Sequence, residues 1–208
     1  DGLQTTEDLQ NMIFLAAERS RGSYQATADA VGKIGIMARD AFSSNAELIA
    51  FTEQLNKQFT IAGTSTQGID AAMLQLTQAM GSGVLRGEEL NSVFEQAPTI
   101  IQTIADYLDV PIGKIREMAQ DGQLTAGVVK SALLSAADET NAKFKEMPMT
   151  WAQLWTTASN AAFMTFQPLL ETIAQGATWI YDNWSTIAPV FYGLAAAVAA
   201  YAAISAIS

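Results

Sequence analysis

The chain has neither cysteine nor histidine in its 208 residues. Without cysteine there is no disulfide framework and no thiolate metal site, which fits synthesis in a reducing cytosol. Without histidine the commonest metal ligand and the commonest acid–base group near neutral pH are both missing. Ser/His and Cys/His nucleophile pairs are therefore impossible. Positive charge is scarce as well. Eleven Lys and Arg stand against 21 Asp and Glu, for a net charge of −10. Such a chain repels a phosphate backbone and disfavours a nucleic-acid partner. The last basic residue is Lys145, and beyond it the only charges are Glu146, Glu171 and Asp182. No run alternates polar and apolar residues, so strands are not expected.

What the chain does have is helical periodicity, in a composition that is 50% hydrophobic. Leu9, Met12, Ile13 and Ala16 form a first stripe behind a Thr5-x-x-Asp8 cap. Tyr24, Ala28, Val31, Gly35, Ala38 and Phe42 form a second, with Ser23 as N-cap. Ser44-Asn45-Ala46-Glu47 reads as a capping box ahead of Leu48, Phe51, Leu55, Phe59 and Ala62. Ile69, Met73, Leu76 and Met80 make a fourth stripe that stops at Gly81.

The best-punctuated stretch is 81–122. Gly81, Gly83 and Gly87 read as a flexible hinge, followed by a stripe of Leu90, Val93, Phe94 and Ala97. Pro98 suits the first turn of the next helix, where its missing N–H has no intrahelical partner. That helix carries Ile100, Ile101, Ile104, Ala105 and Leu108, and Val110-Pro111 breaks it. Ile112, Ile115 and Met118 follow, and Asp121-Gly122 ends the run as a left-handed cap. Thr125 then caps a helix bearing Val128, Val129, Ala132, Leu133 and Ala136.

Three chemical readings of this stretch fail. The glycines lack the preceding strand and the G-x-G-x-x-G or Gly-Lys-Ser/Thr spacing of a phosphate loop, and Glu88-Glu89 would repel a phosphate. Those adjacent carboxylates point about 100° apart on a helix, so they complement a helix dipole rather than face each other. Residues 104–134 could pass for a DNA-reading helix-turn-helix. The stretch 98–130, however, holds four acids against three bases and has no basic face.

The run Leu85-Arg86-Gly87-Glu88-Glu89-Leu90-Asn91, then Ala97-Pro98, Ile104-Ala105, Leu108, Val110, Ile115, Met118-Ala119, Gly122-Gln123-Leu124-Thr125 and Val128-Val129, resembles the conserved domain near the N-terminus of phage tail tape measure proteins. The resemblance covers roughly residues 45–170 in the sense of an ordered family pattern. It implies a structural, non-enzymatic, helical protein of the tail tube that templates tail length and leaves with the DNA at ejection. The implied partners are its own copies, the tail tube protein, tail assembly chaperones, the tail tip and the host inner membrane. The implied location is the tail lumen, with the host cytoplasm during assembly and the host membrane at ejection. No catalytic, cofactor or metal residue comes with it. The residues carrying the motif are packing positions: Leu85, Gly87, Glu88, Leu90, Pro98, Ile104, Leu108, Ile115, Gly122 and Leu124.

Composition shifts at Met147-Pro148-Met149, and all four tryptophans (151, 155, 179, 184) lie beyond it. Thr150-x-x-Gln153 can box a long helix with Trp151, Leu154, Trp155, Ala158, Ala162 and Phe166 on one face, which Pro168 should kink or interrupt. Residues 190–207, VFYGLAAAVAAYAAISAI, approach the ~20 apolar residues needed to cross a bilayer. Trp179, Tyr181, Trp184 and Tyr192 sit at its near end as an interfacial belt would. An Ala-rich helix buried in a bundle or an oligomer seam reads the same way. Its close-contact face would be Trp184, Gly193, Ala195, Ala199 and Ala203.

The expected fold is all-α. A compact multi-helix domain covers 1–147, a Trp-rich long kinked helical segment 148–188, and an apolar Ala-rich, truncated segment 189–208. The opening Asp1-Gly2-Leu3, with no Met and no basic-then-apolar leader, reads as an internal fragment of a longer protein. Two other function classes stay open: a membrane-active helical toxin or effector, suggested by the apolar terminus, and a helical DNA-binding regulator, which the charge opposes. Counterion release needs clustered Lys and Arg, so a gel shift at physiological salt should show no submicromolar retention of duplex DNA. Such retention would refute the charge argument.

Overall fold

The computed structural model describes residues 5–186, 188, 189 and 192. The ordered elements among them are helical: α1 (Thr6–Arg19), α2 (Tyr24–Met37), a 3₁₀ turn (Arg39–Ala41), α3 (Asn45–Ile61), α4 (Thr66–Ser82), α5 (Gly87–Gln96), α6 (Pro98–Tyr107), α7 (Ile112–Gln120), α8 (Ala126–Ser135), α9 (Ala137–Glu146) and α10 (Trp151–Asp182). The fold class is all-α. By packing the chain divides into two units, Asp1–Asn160 and Ala161–Ser208.

Local chemistry sets most boundaries. Thr5 and Asp8 form a reciprocal capping box on α1, and Ser23, Ser65 and Thr125 cap α2, α4 and α8 through their side-chain oxygens. At the far ends, Gly63, Gly83 and Gly122 adopt positive φ. Gly122 completes a Schellman turn, with its N–H bonded to the Ala119 carbonyl and that of Gln123 to Met118. The same pair of bonds ends α6 at Asp109, which takes the left-handed conformation with no glycine present. The box expected at Ser44–Glu47 closes one residue earlier than the pattern indicates. Ser44 Oγ accepts from the Glu47 N–H, but the Glu47 carboxylate returns to the N–H and hydroxyl of Ser43.

The first unit is built around α3, which is packed by α1, α2, α6, α8 and α9. Leu48, Ile49, Phe51, Leu55 and Phe59 are buried on it, and so are Glu53, Gln54, Lys57 and Gln58. The sequence pattern marks only one apolar stripe there. Three of these polar residues find partners, while the buried Gln54 Oε1 accepts no hydrogen bond. Glu53 pairs with Arg19 and Lys57, and Lys57 Nζ also donates to Asn141 Oδ1 at 2.6 Å. Gln58 Nε2 donates to the hydroxyls of Thr103 and Thr140. Phe144 sits within this group, with Arg21 4.6 Å and Lys57 5.8 Å from its ring centre.

In the second unit α10 continues to Asp182. It runs through position 168 without interruption, because a proline removes one backbone bond while the turns on either side keep theirs. Among the described residues no helix is long and apolar enough to cross a membrane. Most of the apolar stretch 190–207, including Gly193, Ala195, Ala199 and Ala203, lies outside the described residues. Trp179, Tyr181, Trp184 and Tyr192 are exposed.

Glu47 offers a pH test of the packing between α3 and α8. The Ser43 N–H, then Lys130 of α8 at 2.9 Å and the Ser43 hydroxyl, lower its carboxyl to about 2 from an ordinary 4.5. A depressed folded-state value stabilises the fold above the unfolded value and is lost as pH falls through the folded one. Glu47→Gln should therefore lose less thermal midpoint than the parent between pH 4.5 and about 2. Parallel losses in the two chains would show that the carboxylate contributes nothing.

Candidate functional site

The motif residues converge where the α4–α5 junction meets the α7–α8 junction. Gly83 turns the chain with φ +83 after α4. Val84 then pairs with Thr125 in an isolated antiparallel bridge. The Leu85 N–H donates to the Leu124 carbonyl at 2.8 Å, and the Ala126 N–H to the Gly83 carbonyl at 2.9 Å. Leu85 and Leu124 are fully buried beside this ladder. The glycine run is therefore not the flexible hinge its composition indicates. Its backbone groups are satisfied by the 124–126 segment, and the two crossovers hold each other. Gly81 acts through size, not mobility. It lies within α4, where an added Cβ would come within 2.9 Å of the Met37 carbonyl oxygen of α2. At Gly87, the first residue of α5, an added Cβ would meet nothing within 4 Å, and nothing in the structure explains glycine there.

The other motif positions serve the same packing. Leu90, Ile104 and Ile115 are buried, and Leu108 packs against the core from its edge. Pro98 opens α6 at its first position, Gly122 supplies the left-handed cap, and Glu88 falls in the first turn of α5. Leu85, Leu90, Ile104, Ile115 and Leu124 share one hydrophobic core, while Pro98 is exposed, and no acid–base or nucleophile arrangement is seen among the described residues of the motif. Two bases near it are engaged locally. Lys114 pairs with Glu117, while Arg116 donates to Asn91 and lies 4.5 Å from the Phe94 ring centre. Among the described residues no three acidic side chains gather to hold a metal ion. A cavity of about 260 Å³ with mixed polar and apolar walls opens between α3, α6, α8 and α9. Its carboxylates are already engaged, Asp106 by Gln102 and Glu139 by Lys143.

The model of the tape measure protein family matches this chain over residues 1–171. The chain belongs to the tape measure protein family. That membership makes it a structural component of the phage tail. No curated protein and no solved structure matches it. The match gives no support to a toxin or to a DNA-binding regulator.

One further site in this tape measure chain escaped the sequence reading. The Thr150–Gln153 capping box starts α10 as its spacing indicates. Trp151, Leu154 and Trp155 nevertheless stay exposed, at 87%, 44% and 76%, while Asn160 is 6% exposed. The Asn160 side chain accepts from the Tyr24 N–H at 2.9 Å and donates to the Gly22 carbonyl at 2.8 Å and to Glu18 at 3.0 Å. Arg21 adds a bond to the Met147 carbonyl at 3.0 Å. The start of α10 is thus latched to the α1–α2 turn by its polar face. A lone asparagine carries no such signal in sequence. Its partners lie more than 130 residues away. Asn160→Ala would strip the Tyr24 N–H of its partner, at a cost of about 1–3 kcal/mol. Amide exchange should show faster exchange at Tyr24 with the exchange of α6 unchanged. An unaltered Tyr24 would mean that the latch does not form.

Proposed function

We propose that this chain is the folded head of a tape measure that templates tail length and accompanies DNA at ejection, with 1–147 as a compact unit outside the ruler itself. The observation that carries the reading is the family match over 1–171. Helix length supports the division. The helices α1 to α9 run from 9 to 17 residues, which is roughly 14–26 Å each at the α-helical rise. They fold back on one another instead of extending. A ruler needs a long unbroken run, and α10, at 32 residues, is the first element here of that kind. On this reading residues 148–188 lead out of the head, and 189–208 supply either a seam between copies or a membrane-directed segment. The residue types suit the latter roles, since no charge occurs beyond Asp182. Partners would be further copies of the chain, the tail tube protein, the assembly chaperones and the tail tip, with the host inner membrane at ejection. The motif residues Leu85, Leu90, Ile104, Ile115 and Leu124 would act by keeping the head folded.

Tail length in micrographs of phage carrying an in-frame duplication of 45–147 tests this. Tails of parental length, or failed assembly, are expected. A gain near 1.5 Å per added residue would show that this region lies extended in the tube, and would overturn the division.

A further inference from the structure

The helices α3, α6, α8 and α9 leave a cavity of about 260 Å³ between them. Gln58 and Thr140 line it while only 5% and 2% exposed, and form its floor. The hydrogen bonds of that floor can be followed to their end. Gln58 Nε2 donates to the hydroxyl oxygens of Thr103 at 3.2 Å and Thr140 at 2.9 Å, which uses both of its protons. The Thr103 hydroxyl donates to the Thr99 carbonyl, and that of Thr99 to the Gln58 carbonyl. The Gln58 amide oxygen accepts from no described residue. At the rim, Asp106 takes the Gln102 amide on Oδ1 and Glu139 takes Lys143 on Oε1, each at 2.7 Å, so each carboxylate keeps its second oxygen. The walls thus leave mostly acceptor capacity unspent, with one negative charge more than Lys143 cancels.

We propose that this cavity is a binding site for an alkylguanidinium group, the side chain of arginine, supplied as the free amino acid or by a polypeptide. The unspent oxygens of Gln58, Asp106 and Glu139 call for a ligand that donates and does not accept. A guanidinium has five N–H donors in one plane and no acceptor. An ammonium gathers its donors at one strongly hydrated point and is costlier to bring in. A sugar needs donors from the walls as well, and among the described floor residues only the Thr140 hydroxyl proton is left to give. The apolar part of the lining suits the rest of the side chain. Ile61, Ala132 and Ala136 can take a methylene stem, and Tyr107, 46% exposed, offers a ring for stacking. The volume falls below the roughly 300 Å³ at which pockets for drug-sized ligands begin, and so suits a single side chain. An excess of 19 acidic over 11 basic residues across 1–147 draws a cation toward it. The site stands or falls separately from the tail-length reading.

Titration of the full 208-residue chain with N-acetyl-arginine amide, followed at the methyl resonances of Thr140, Ala132 and Ala136, tests this. Saturating shifts are expected at these methyls. N-acetyl-lysine amide should bind more weakly, and the uncharged isostere N-acetyl-citrulline amide more weakly still. Asp106→Asn, a change at an exposed side chain, should weaken the arginine probe about five-fold. Glu117→Gln, on α7 and outside the cavity, should leave it unchanged. Absence of saturation, an equal response to the citrulline probe, or saturation by N-acetylglucosamine in its place would each overturn the proposal. So would an Asp106→Asn chain that binds like the parent, or an equal loss on Glu117→Gln, which would reduce the effect to diffuse attraction. A Gly-Gly-Arg-Gly-Gly peptide separates the two sources. Tighter binding than free L-arginine assigns the site to a polypeptide side chain, and the reverse order assigns it to the amino acid, with the same group held in both cases.

Discussion

Everything in the first unit leans on a helix that has no exposed residue from Phe51 to Ile61. Five other helices surround α3, so its polar positions are forced inward together with its apolar ones. A buried charge is tolerable only when paired and hydrogen-bonded. Glu53 meets that condition by taking Arg19 from α1 and Lys57 from its own next turn, and Lys57 reaches across to Asn141 of α9. Three helices are thereby tied in one network, with Phe144 filling the space between Arg21 and Lys57. Apolar burial around α3 drives collapse without direction. The network demands particular partners at particular distances, and so selects one arrangement of α1, α3 and α9.

The crossovers between the later helices show the same economy. A helical domain has many loops, and each exposes backbone groups that must be satisfied somewhere. Here two loops satisfy each other: the 83–85 segment and the 124–126 segment exchange bonds across a single bridge. Small residues then permit close approach, as Gly81 does against the Met37 carbonyl. The packing of α4 with α5 follows from that shared crossover. Of the motif residues, Leu85 and Leu124 are buried beside this crossover and Gly122 supplies the left-handed turn that leads into it.

Helix α10 is handled differently. It meets the rest of the first unit through Asn160, through the Arg21 bonds to the Met147 and Pro148 carbonyls, and with little apolar burial. Hydrogen bonds exchanged against water contribute less net stability than buried side chains of this size. The latch therefore orients α10 more than it secures it, and leaves the aromatic face available.

The element pattern was legible from the residues alone. Thr5, Ser23 and Thr125 cap the helices they were expected to cap, because an N-cap acts within three residues of itself. The stripes Ile13–Ala16, Leu48–Phe59 and Ile100–Ala105 are buried, because helical periodicity converts directly into a face. The all-α class followed from the same local rules, and the motif at 85–125 was enough to suggest the family. What the residues could not give is which faces meet. The glycines at 81 and 83 looked mobile because their partners, Met37 and Ala126, are far away in sequence. The burial of Glu53 and Lys57 has no sequence signal, because nothing local reveals that α3 is surrounded. The spacing of Trp151, Leu154 and Trp155 places them on one helical face, but periodicity does not say whether that face is buried, and here it is exposed. Backbone propensity and capping are short-range energies carried by the sequence itself. Burial is a property of neighbours, and only the tertiary packing determines them.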